Sequence, residues 1–289
     1  MNQFWCGDEL AGIAYMKSLY KPPEPPAGVT AKLVVPESGA SAFKPTDYGW
    51  FEVPPLAYMN GNVAVIQIKG SLVPGVAGFR RLYNMTGYDE IRDALIEAAA
   101  RADVAGILLH VDSPGGAVTG ISSATAVIKE VKKLKPVVAY ANNACSAGYW
   151  LASAADYLVA DQMANVGSIG VVTQLVNYVD AHAKEGVKVH VFKSGSLKMA
   201  GNPNEEMSEE AKRLFEQNVA DMAAIFYGVV AEHRKMSVDH VRVKFGDGRH
   251  MMAMRGYAEG LVDEVGLVGQ AVQKLQQLVN SRGTNLPRL

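Results

Sequence analysis

The 289-residue sequence has few cysteines and no long apolar run. Its two cysteines, Cys6 and Cys145, are too few for a disulfide framework or a metal cluster, which favours a reducing compartment. The sequence contains no run of about 18 to 20 apolar residues, so we expect no transmembrane helix. The first residues lack the basic and apolar regions of a signal peptide. We therefore expect a cytoplasmic protein with no stable membrane anchor and no bound metal or cofactor.

Charge of either sign is not in excess. The formal net charge is -1, and no stripe of lysine and arginine stands out, which argues against a nucleic-acid partner. The composition is 49% hydrophobic and 20% charged, as in a globular protein with a large core. The histidines show no metal-ligand spacing, and His182 and His233 fall in helices that we interpret as surface segments.

Composition divides the chain into three regions. Residues 1–60 contain KPPEPPAG and a further turn-rich stretch, which predicts an N-terminal arm or lead-in that is only partly ordered. Residues 61–282 alternate strand-like and helix-like segments and predict one domain. Residues 283–289 form a polar tail.

Hydrophobic periodicity predicts an α/β fold. Strands that alternate with helices of these lengths are typical of βαβ crossovers, which build a mostly parallel sheet with flanking helices. The predicted strands are residues 62–70, 105–113, 136–142, 157–160, 168–176 and 187–193. The predicted helices are residues 88–102, 118–134, 178–186, a long helix capped by Ser208, 258–266 and 270–280.

The segment VDSPGGAVTG (111–120) follows a predicted strand and precedes a predicted helix. Glycines let a ligand approach backbone N–H groups closely, and a helix N-terminus favours negative charge. The segment therefore suits a bound anion or an oxyanion formed during a reaction. A plain tight turn is the alternative, and the lysine and spacing of a phosphate-binding loop are missing.

The segment NNACSAGYWLASAAD (142–156) places Ser146 where the next strand leads into a helix. A hydroxyl at a helix N-terminus is favoured as a nucleophile, while a buried helix with a satisfied serine is the alternative. Cys145 is a rival nucleophile by residue type. It lacks a predicted cationic partner, so a packing role is favoured.

The segment KSGSLKMAGNP (193–203) places Lys198 between Leu197 and Met199. A lysine drawn into a partly apolar cleft loses hydration, and its pKa falls. A neutral amine can then accept the proton of a serine hydroxyl. The alternative is an ordinary solvated lysine in a loop.

Together these segments resemble a known family of serine peptidases. VDSPGGAVTG, NACSAGYWLASAAD, NVGSIGVV and KSGSLKMAGNP occur in the order found in bacterial signal peptide peptidase A and in the protein C-type head-maturation proteases of phages. AEGLVDEVG (258–266) resembles the closing segment of that family. The resemblance covers about residues 62–268 and implies the fold of the Clp protease and crotonase groups.

The resemblance also implies roles for single residues. Ser146 matches the nucleophile, Lys198 matches the general base, and Ser168 is similar to a serine that orients the lysine. The backbone N–H groups of Gly116 and Ala147 would form the oxyanion hole.

The resemblance and the loop compositions also lead us to expect substrate contacts at Gly115 and Gly167. Two departures from the family pattern are the bulky Trp150 and the stretch GRHMMAMRGYAEG, where the family commonly has a threonine-glycine pair. We expect the second departure to affect packing more than catalysis.

The resemblance implies a Ser-Lys endopeptidase of phage head maturation that cleaves capsid, scaffold or portal proteins. Such an enzyme would act in the host cytoplasm, or inside the prohead, as a homo-oligomer. One alternative is a bacterial signal peptide peptidase-like protease that degrades peptides. Two others are an inactive assembly or scaffold protein on the same fold and a crotonase-like enzyme acting on acyl thioesters. The last of these would need a carboxylate, and Asp112 alone lies near the glycine loop.

Overall fold

The computed structural model describes residues 42, 44, 46–47, 52–53, 55–75, 77 and 84–282. Most of the predicted N-terminal arm and the whole polar tail lie outside the described residues. The described chain forms two compact units. We call residues 171–225 the Lys198 unit and the rest of the described chain the sheet unit. The division falls inside the range 61–282, over which the sequence predicts one domain.

The described residues contain eleven strands, all of them in the sheet unit. They are β1 (Thr46–Asp47), β2 (Glu52–Val53), β3 (Ala57–Asn60), β4 (Val63–Val73), β5 (Met85–Gly87), β6 (Gly106–Gly116), β7 (Val137–Cys145), β8 (Tyr157–Ala160), β9 (Asn165–Gly167), β10 (His250–Met252) and β11 (Glu264–Val265).

Nine of these strands form one mostly parallel sheet. Its main path runs β10-β9-β7-β6-β4-β3, with β5 beside β4, β8 beside β7 and β11 beside β8. Only β3 and β10 pair antiparallel with their neighbours, while β1 and β2 form a separate ribbon. The α/β fold with a mostly parallel sheet is therefore confirmed. The parallel strands β4, β6 and β7 all end at the same edge of the sheet, where ligands gather in such folds.

The described helices flank this sheet or lie in the Lys198 unit. They are α1 (Tyr88–Ala100), α2 (Ile121–Leu134), α3 (Ala147–Ser153), α4 (Val179–Lys184), α5 (Glu209–Arg234), α6 (Val238–Phe245), α7 (Ala253–Ala258) and α8 (Val268–Ser281). The chain passes from one unit to the other within α5. Among the described residues, every helix is too short or too polar to cross a membrane.

The helices bury the apolar stripes that their spacing predicts. Leu275 of α8 packs in a cluster with the sheet residues Val65, Leu108 and Val138. A side chain at Gly106 would come within 2.9 Å of Leu275, so glycine lets α8 approach the sheet closely. The buried positions of α1 and α2 include Ile91, Leu95, Ala98, Ile121, Ala124, Ile128 and Val131.

Three predicted elements are wrong. Residues 168–176 and 187–193 form no strand, because no described strand pairs with their backbone, and β propensity without a partner does not make a strand. The predicted helix over 258–266 is also absent. The chain leaves α7 after Ala258, turns at Gly260 with a φ of +80°, and enters β11.

Two side-chain predictions have opposite outcomes. Ser208 caps α5 as predicted, because its Oγ accepts the N–H of Ala211 at 3.1 Å. His233 does not lie on the surface as predicted. Its Nδ1 is 3.0 Å from Oγ of the buried Ser153, and burial lowers the pKa of His233 to about 4.

Candidate active site

Ser146 occupies a sharp turn between β7 and α3. Its backbone has a φ of 51° and a ψ of -122°, which is a sparsely populated conformation for a residue with a side chain. The Ser146 N–H donates to the carbonyl of Gly167 at 2.8 Å, and its own carbonyl accepts the N–H of Trp150 at 2.9 Å. The hydroxyl makes no capping hydrogen bond to the helix that follows. The backbone is therefore fixed while the hydroxyl is not used to cap the helix.

The glycine loop at the end of β6 lies directly beside this turn. A Cβ added at Gly115 would stand 2.7 Å from the Cβ of Ser146 and 3.2 Å from the nitrogen of Ala147. Gly115 also has a φ of +115°, which side chains rarely adopt. Only glycine lets the strand approach Ser146 this closely, so the structure brings Gly115, Ser146 and Ala147 together.

Gly116 is exposed, and its backbone is held by β4. The N–H of the next residue, Ala117, donates to the carbonyl of Leu72 at 2.8 Å. Successive N–H groups of an extended strand point to opposite sides, so the N–H of Gly116 points away from β4. A side chain at Gly116 would come within 2.1 Å of the Leu72 carbonyl oxygen, which excludes any larger residue.

Ser113 supports the same loop, although no sequence motif assigns it a role. It is fully buried, its Oγ donates to the carbonyl of Gly70 at 2.7 Å, and it accepts the N–H of Gly115 at 3.1 Å. A side chain at Gly148 would come within 3.0 Å of Ser113. The signal that could have identified it is a small polar residue at an inward position of an apolar strand.

Gly167 and Ser168 reach the Ser146 turn from β9. The Gly167 carbonyl accepts the Ser146 N–H, and Gly167 pairs with Cys145 in the sheet. Both residues have positive φ values, 99° and 52°, and the Ser168 N–H donates to the carbonyl of Arg249 at 2.9 Å. The structure therefore brings Gly167 and Ser168 beside the candidate nucleophile.

Lys198 lies in the Lys198 unit, apart in the chain from the residues above. It sits in a turn where its N–H donates to the carbonyl of Gly195 at 3.1 Å, and the following Met199 has a φ of +68°. Its side chain is exposed in the single chain. The neighbouring Lys193 is paired with Glu205, the two charged groups lying 2.8 Å apart.

Cys145 is the residue before the candidate nucleophile, and it is buried. Burial raises the pKa of its thiol to about 11, so the thiolate needed for nucleophilic chemistry is scarce at neutral pH. This agrees with the packing role that the sequence favours for it.

Trp150 explains one departure from the family pattern. Its side chain is buried and stacks on Phe226 of α5, with ring centroids 4.6 Å apart. The bulk of Trp150 therefore fills the core between α3 and the end of α5 and does not block the Ser146 turn.

The closing segment is joined to the same core. Asp263 accepts two hydrogen bonds from the Arg234 guanidinium, at 2.7 and 2.9 Å, and a third from the N–H of Leu158. The Tyr149 hydroxyl on α3 donates to the carbonyl of Leu261 at 2.8 Å. The segment therefore supports the helix that begins after Ser146.

Comparison with known proteins places the chain among peptidases. Residues 129–282 match the model of Peptidase family S49, a range that contains Ser146, Ser168 and Lys198 but not the glycine loop. The chain is 34% identical to the head-tail preconnector protein GP5 of Enterobacteria phage P21, over 80% of this chain and 46% of that protein.

Two further relatives are similar over most of the chain. Capsid assembly protease C of Escherichia phage lambda is 33% identical over 79% of this chain and 52% of its own length. Protease 4 of Haemophilus influenzae is 28% identical over 76% of this chain and 35% of its own length. The chain thus spans about half the length of the two phage relatives. Because the family model covers more than half of the sequence, this chain belongs to peptidase family S49.

Proposed function

We propose that the protein is a serine endopeptidase that uses Ser146 and Lys198 as a catalytic dyad. The observation that carries the proposal is the strained turn at Ser146, which sets this serine against the glycine loop at the C-terminal edge of the sheet. A strained backbone at a functional serine is typical of activated nucleophiles in α/β enzymes.

In the proposed mechanism the neutral amine of Lys198 accepts the proton of the Ser146 hydroxyl. The Ser146 Oγ attacks the peptide carbonyl and forms a tetrahedral intermediate. Lys198 then returns the proton to the leaving amine, and water hydrolyses the acyl-enzyme in a second, analogous step. Ser168 is assigned the role of orienting the lysine.

The N–H groups of Gly116 and Ala147 are assigned to the oxyanion hole. Support comes from the orientation of the Gly116 N–H away from β4 and from the close approach of Gly115 to the Ala147 nitrogen. Such donors stabilise the charge that develops on the carbonyl oxygen in the transition state. Gly115 and Gly167 leave room for a substrate backbone, and we assign them to substrate binding.

The proposed substrates are capsid, scaffold or portal proteins of a phage, cleaved during head maturation in the host cytoplasm or inside the prohead. Support comes from the two phage relatives, one named a capsid assembly protease and the other a head-tail preconnector protein. Portal and major capsid genes beside the gene for this chain would favour this role over peptide degradation of the signal peptide peptidase type.

We further propose that the protein acts as a homo-oligomer. Val172 and Phe192 of the Lys198 unit are 88% and 94% exposed in the single chain, and large exposed apolar side chains often mark interfaces. Lys198 is exposed as well, and cover from a second copy would remove water from it.

The test compares purified Ser146→Ala and Lys198→Ala with Lys193→Ala, which changes a lysine of the same loop that is paired with Glu205. Cleavage of an unfolded protein substrate is followed on gels, and Ser146 is labelled with a fluorophosphonate. We expect both dyad variants to lose activity about a thousandfold or more, and Lys193→Ala to keep it. Near-full cleavage by either dyad variant would refute the assignment.

A further inference from the structure

The loop that carries the Gly116 N–H is rich in glycine, so its backbone has many accessible conformations. Gly115, Gly116 and Gly120 all lie within one six-residue stretch, and glycine has more backbone freedom than any other residue. An oxyanion hole works because its donors are already in place before charge develops. Contacts from outside the loop must therefore hold it in one conformation.

Three hydrogen bonds hold this loop on the two sides of Gly116. At its start, the Ser113 Oγ accepts the N–H of Gly115. In its middle, the carbonyl of Leu72 accepts the N–H of Ala117. At the same residue, the hydroxyl of Tyr88 donates to the carbonyl of Ala117 at 2.5 Å. Among the described residues, the Ser123 Oγ also donates to the carbonyl of Gly120, at 2.8 Å, but Tyr88 is the side chain that bonds Ala117, the residue next to Gly116.

Tyr88 is well suited to hold a backbone carbonyl. It is the first residue of α1, and its side chain is fully buried. A side chain at Gly120 would come within 3.0 Å of the Tyr88 ring, so the ring packs against the far end of the loop. Burial raises the pKa of the Tyr88 hydroxyl well above its usual range, so the group stays protonated and remains a donor at neutral pH.

We propose that Tyr88 is a positioning residue, whose hydrogen bond to the Ala117 carbonyl fixes the direction of the Gly116 N–H and so completes the oxyanion hole. The inference rests on the proposed function, since it concerns the same reaction. Tyr88 lies outside the range that matches the peptidase family and outside the motifs that the sequence singles out. The two bonds to Ala117 hold the peptide groups on both sides of it, and the first of these is joined directly to the Gly116 Cα, so the Gly116 N–H on the other side of that Cα has less freedom to turn.

The test is Tyr88→Phe, which removes the hydroxyl and keeps the ring. Its matched control is Tyr149→Phe, because Tyr149 is also fully buried and also donates to a backbone carbonyl, that of Leu261. Each change removes one buried hydrogen bond and leaves one carbonyl without its partner, so the two variants should lose similar stability.

For Tyr88→Phe we expect kcat on a peptide substrate to fall about 5- to 50-fold, less than the about 100- to 1,000-fold lost with a whole oxyanion donor. KM should change less than about twofold, because the ground-state carbonyl makes little use of the hole. The affinity for a peptide aldehyde, which forms a tetrahedral adduct, should fall by the same factor as kcat/KM. Tyr149→Phe should keep kcat and the aldehyde affinity within about twofold of the parent.

An equal change of kcat in the two variants would overturn the positioning role. So would a Tyr88→Phe protein that does not fold while Tyr149→Phe does, because Tyr88 would then serve the fold as a whole. The same assay includes Ser146→Ala. Retained cleavage by Ser146→Ala would refute the proposed function itself, whatever Tyr88→Phe shows.

Discussion

The surroundings of Ser146 and the segment that carries Lys198 are built in opposite ways. Around Ser146, two glycines and a buried serine let the neighbouring strands approach so closely that a larger side chain would overlap with them. Along residues 171–208, by contrast, helix α4 buries none of its residues, and Phe192 is 94% exposed. The candidate nucleophile thus stands on a closely packed scaffold, whereas the candidate base stands on a segment with little packing of its own.

This difference predicts where substitutions are costly. Changes near Ser146 should reduce stability and activity, because the packing there leaves no room for relaxation. Equivalent changes in residues 171–208 should leave the stability of the single chain nearly unchanged and affect assembly or catalysis. The predictions below test this contrast, starting from the largest expected effect.

The sharpest contrast is between two glycines. Gly115→Ala forces a Cβ to 2.7 Å from Ser146 at a φ of +115°, and we expect activity to fall about 100-fold or more. The backbone strain should also cost about 1 to 3 kcal/mol of unfolding free energy. A Cβ added at Gly195 would have no atom within 4 Å, and Gly195 does not have a positive φ. The melting temperature of Gly195→Ala should therefore equal that of the parent protein. Peptide cleavage and thermal unfolding measure both, and equal melting temperatures for the two variants would contradict the contrast.

Two phenylalanines offer the same comparison for apolar burial. Phe226 is 2% exposed and stacks on Trp150, so Phe226→Ala should cost about 3 to 5 kcal/mol. Phe192→Ala should stay within about 0.5 kcal/mol, because its ring is already in water. Chemical denaturation of dilute protein gives both values. A large loss of stability from Phe192→Ala would mean that the exposed segment is packed in the single chain.

The Arg234–Asp263 pair tests the electrostatic part of the scaffold. The Arg234 side chain is 8% exposed, and Asp263 also accepts the N–H of Leu158. Asp263→Asn should cost about 2 to 3 kcal/mol, which is less than for a fully buried pair because Asp263 is partly exposed. The solvent-exposed Asp239, paired with Arg242, serves as the control, and Asp239→Asn should cost less than about 1 kcal/mol. If the two variants denature at the same denaturant concentration, the pair does not anchor the closing segment.

His233 should give the sheet unit a mild sensitivity to acid. Burial holds its pKa at about 4 in the folded protein, below the ordinary value of 6.5. Folding therefore keeps this group neutral, so its contribution to stability is complete above pH 6.5 and is lost as the pH falls toward 4. We expect a loss of about 1 to 2 kcal/mol across this range, removed in His233→Gln, as measured by urea unfolding at several pH values. An unchanged pH profile in His233→Gln would assign the acid sensitivity to other groups.

The sequence predicts the sheet unit well because its signals are local. Strand β8 has the predicted bounds, and the helix predicted over 88–102 is observed as α1. The glycine loop and the Ser146 turn lie where parallel strands end, so the topology alone brings them to one edge. These parts follow from the periodic spacing of apolar residues and from the backbone freedom of glycine.

Other parts depend on partners that a sequence does not reveal. The β-branched run at 187–193 has the composition of a strand but finds no described strand to pair with. The sequence does not indicate the roles of Tyr88 and Ser113, because their hydrogen-bond partners lie 29 and 43 positions away in the chain. His233 was misplaced because its burial depends on Ser153, a contact across 80 positions.

The groups that support helix α3 and strand β8 are synthesised long after Ser146. The carbonyl that holds Tyr149 belongs to Leu261, and the carboxylate that holds the start of β8 belongs to Asp263, both more than a hundred positions later. A ribosome adds about 5 to 20 residues each second, so a chain synthesised only as far as Ser146 waits several seconds for these groups. During that interval the serine has been made but its scaffold has not. Helix α3 and strand β8 therefore gain these hydrogen-bond partners only after nearly all of the described domain has been synthesised.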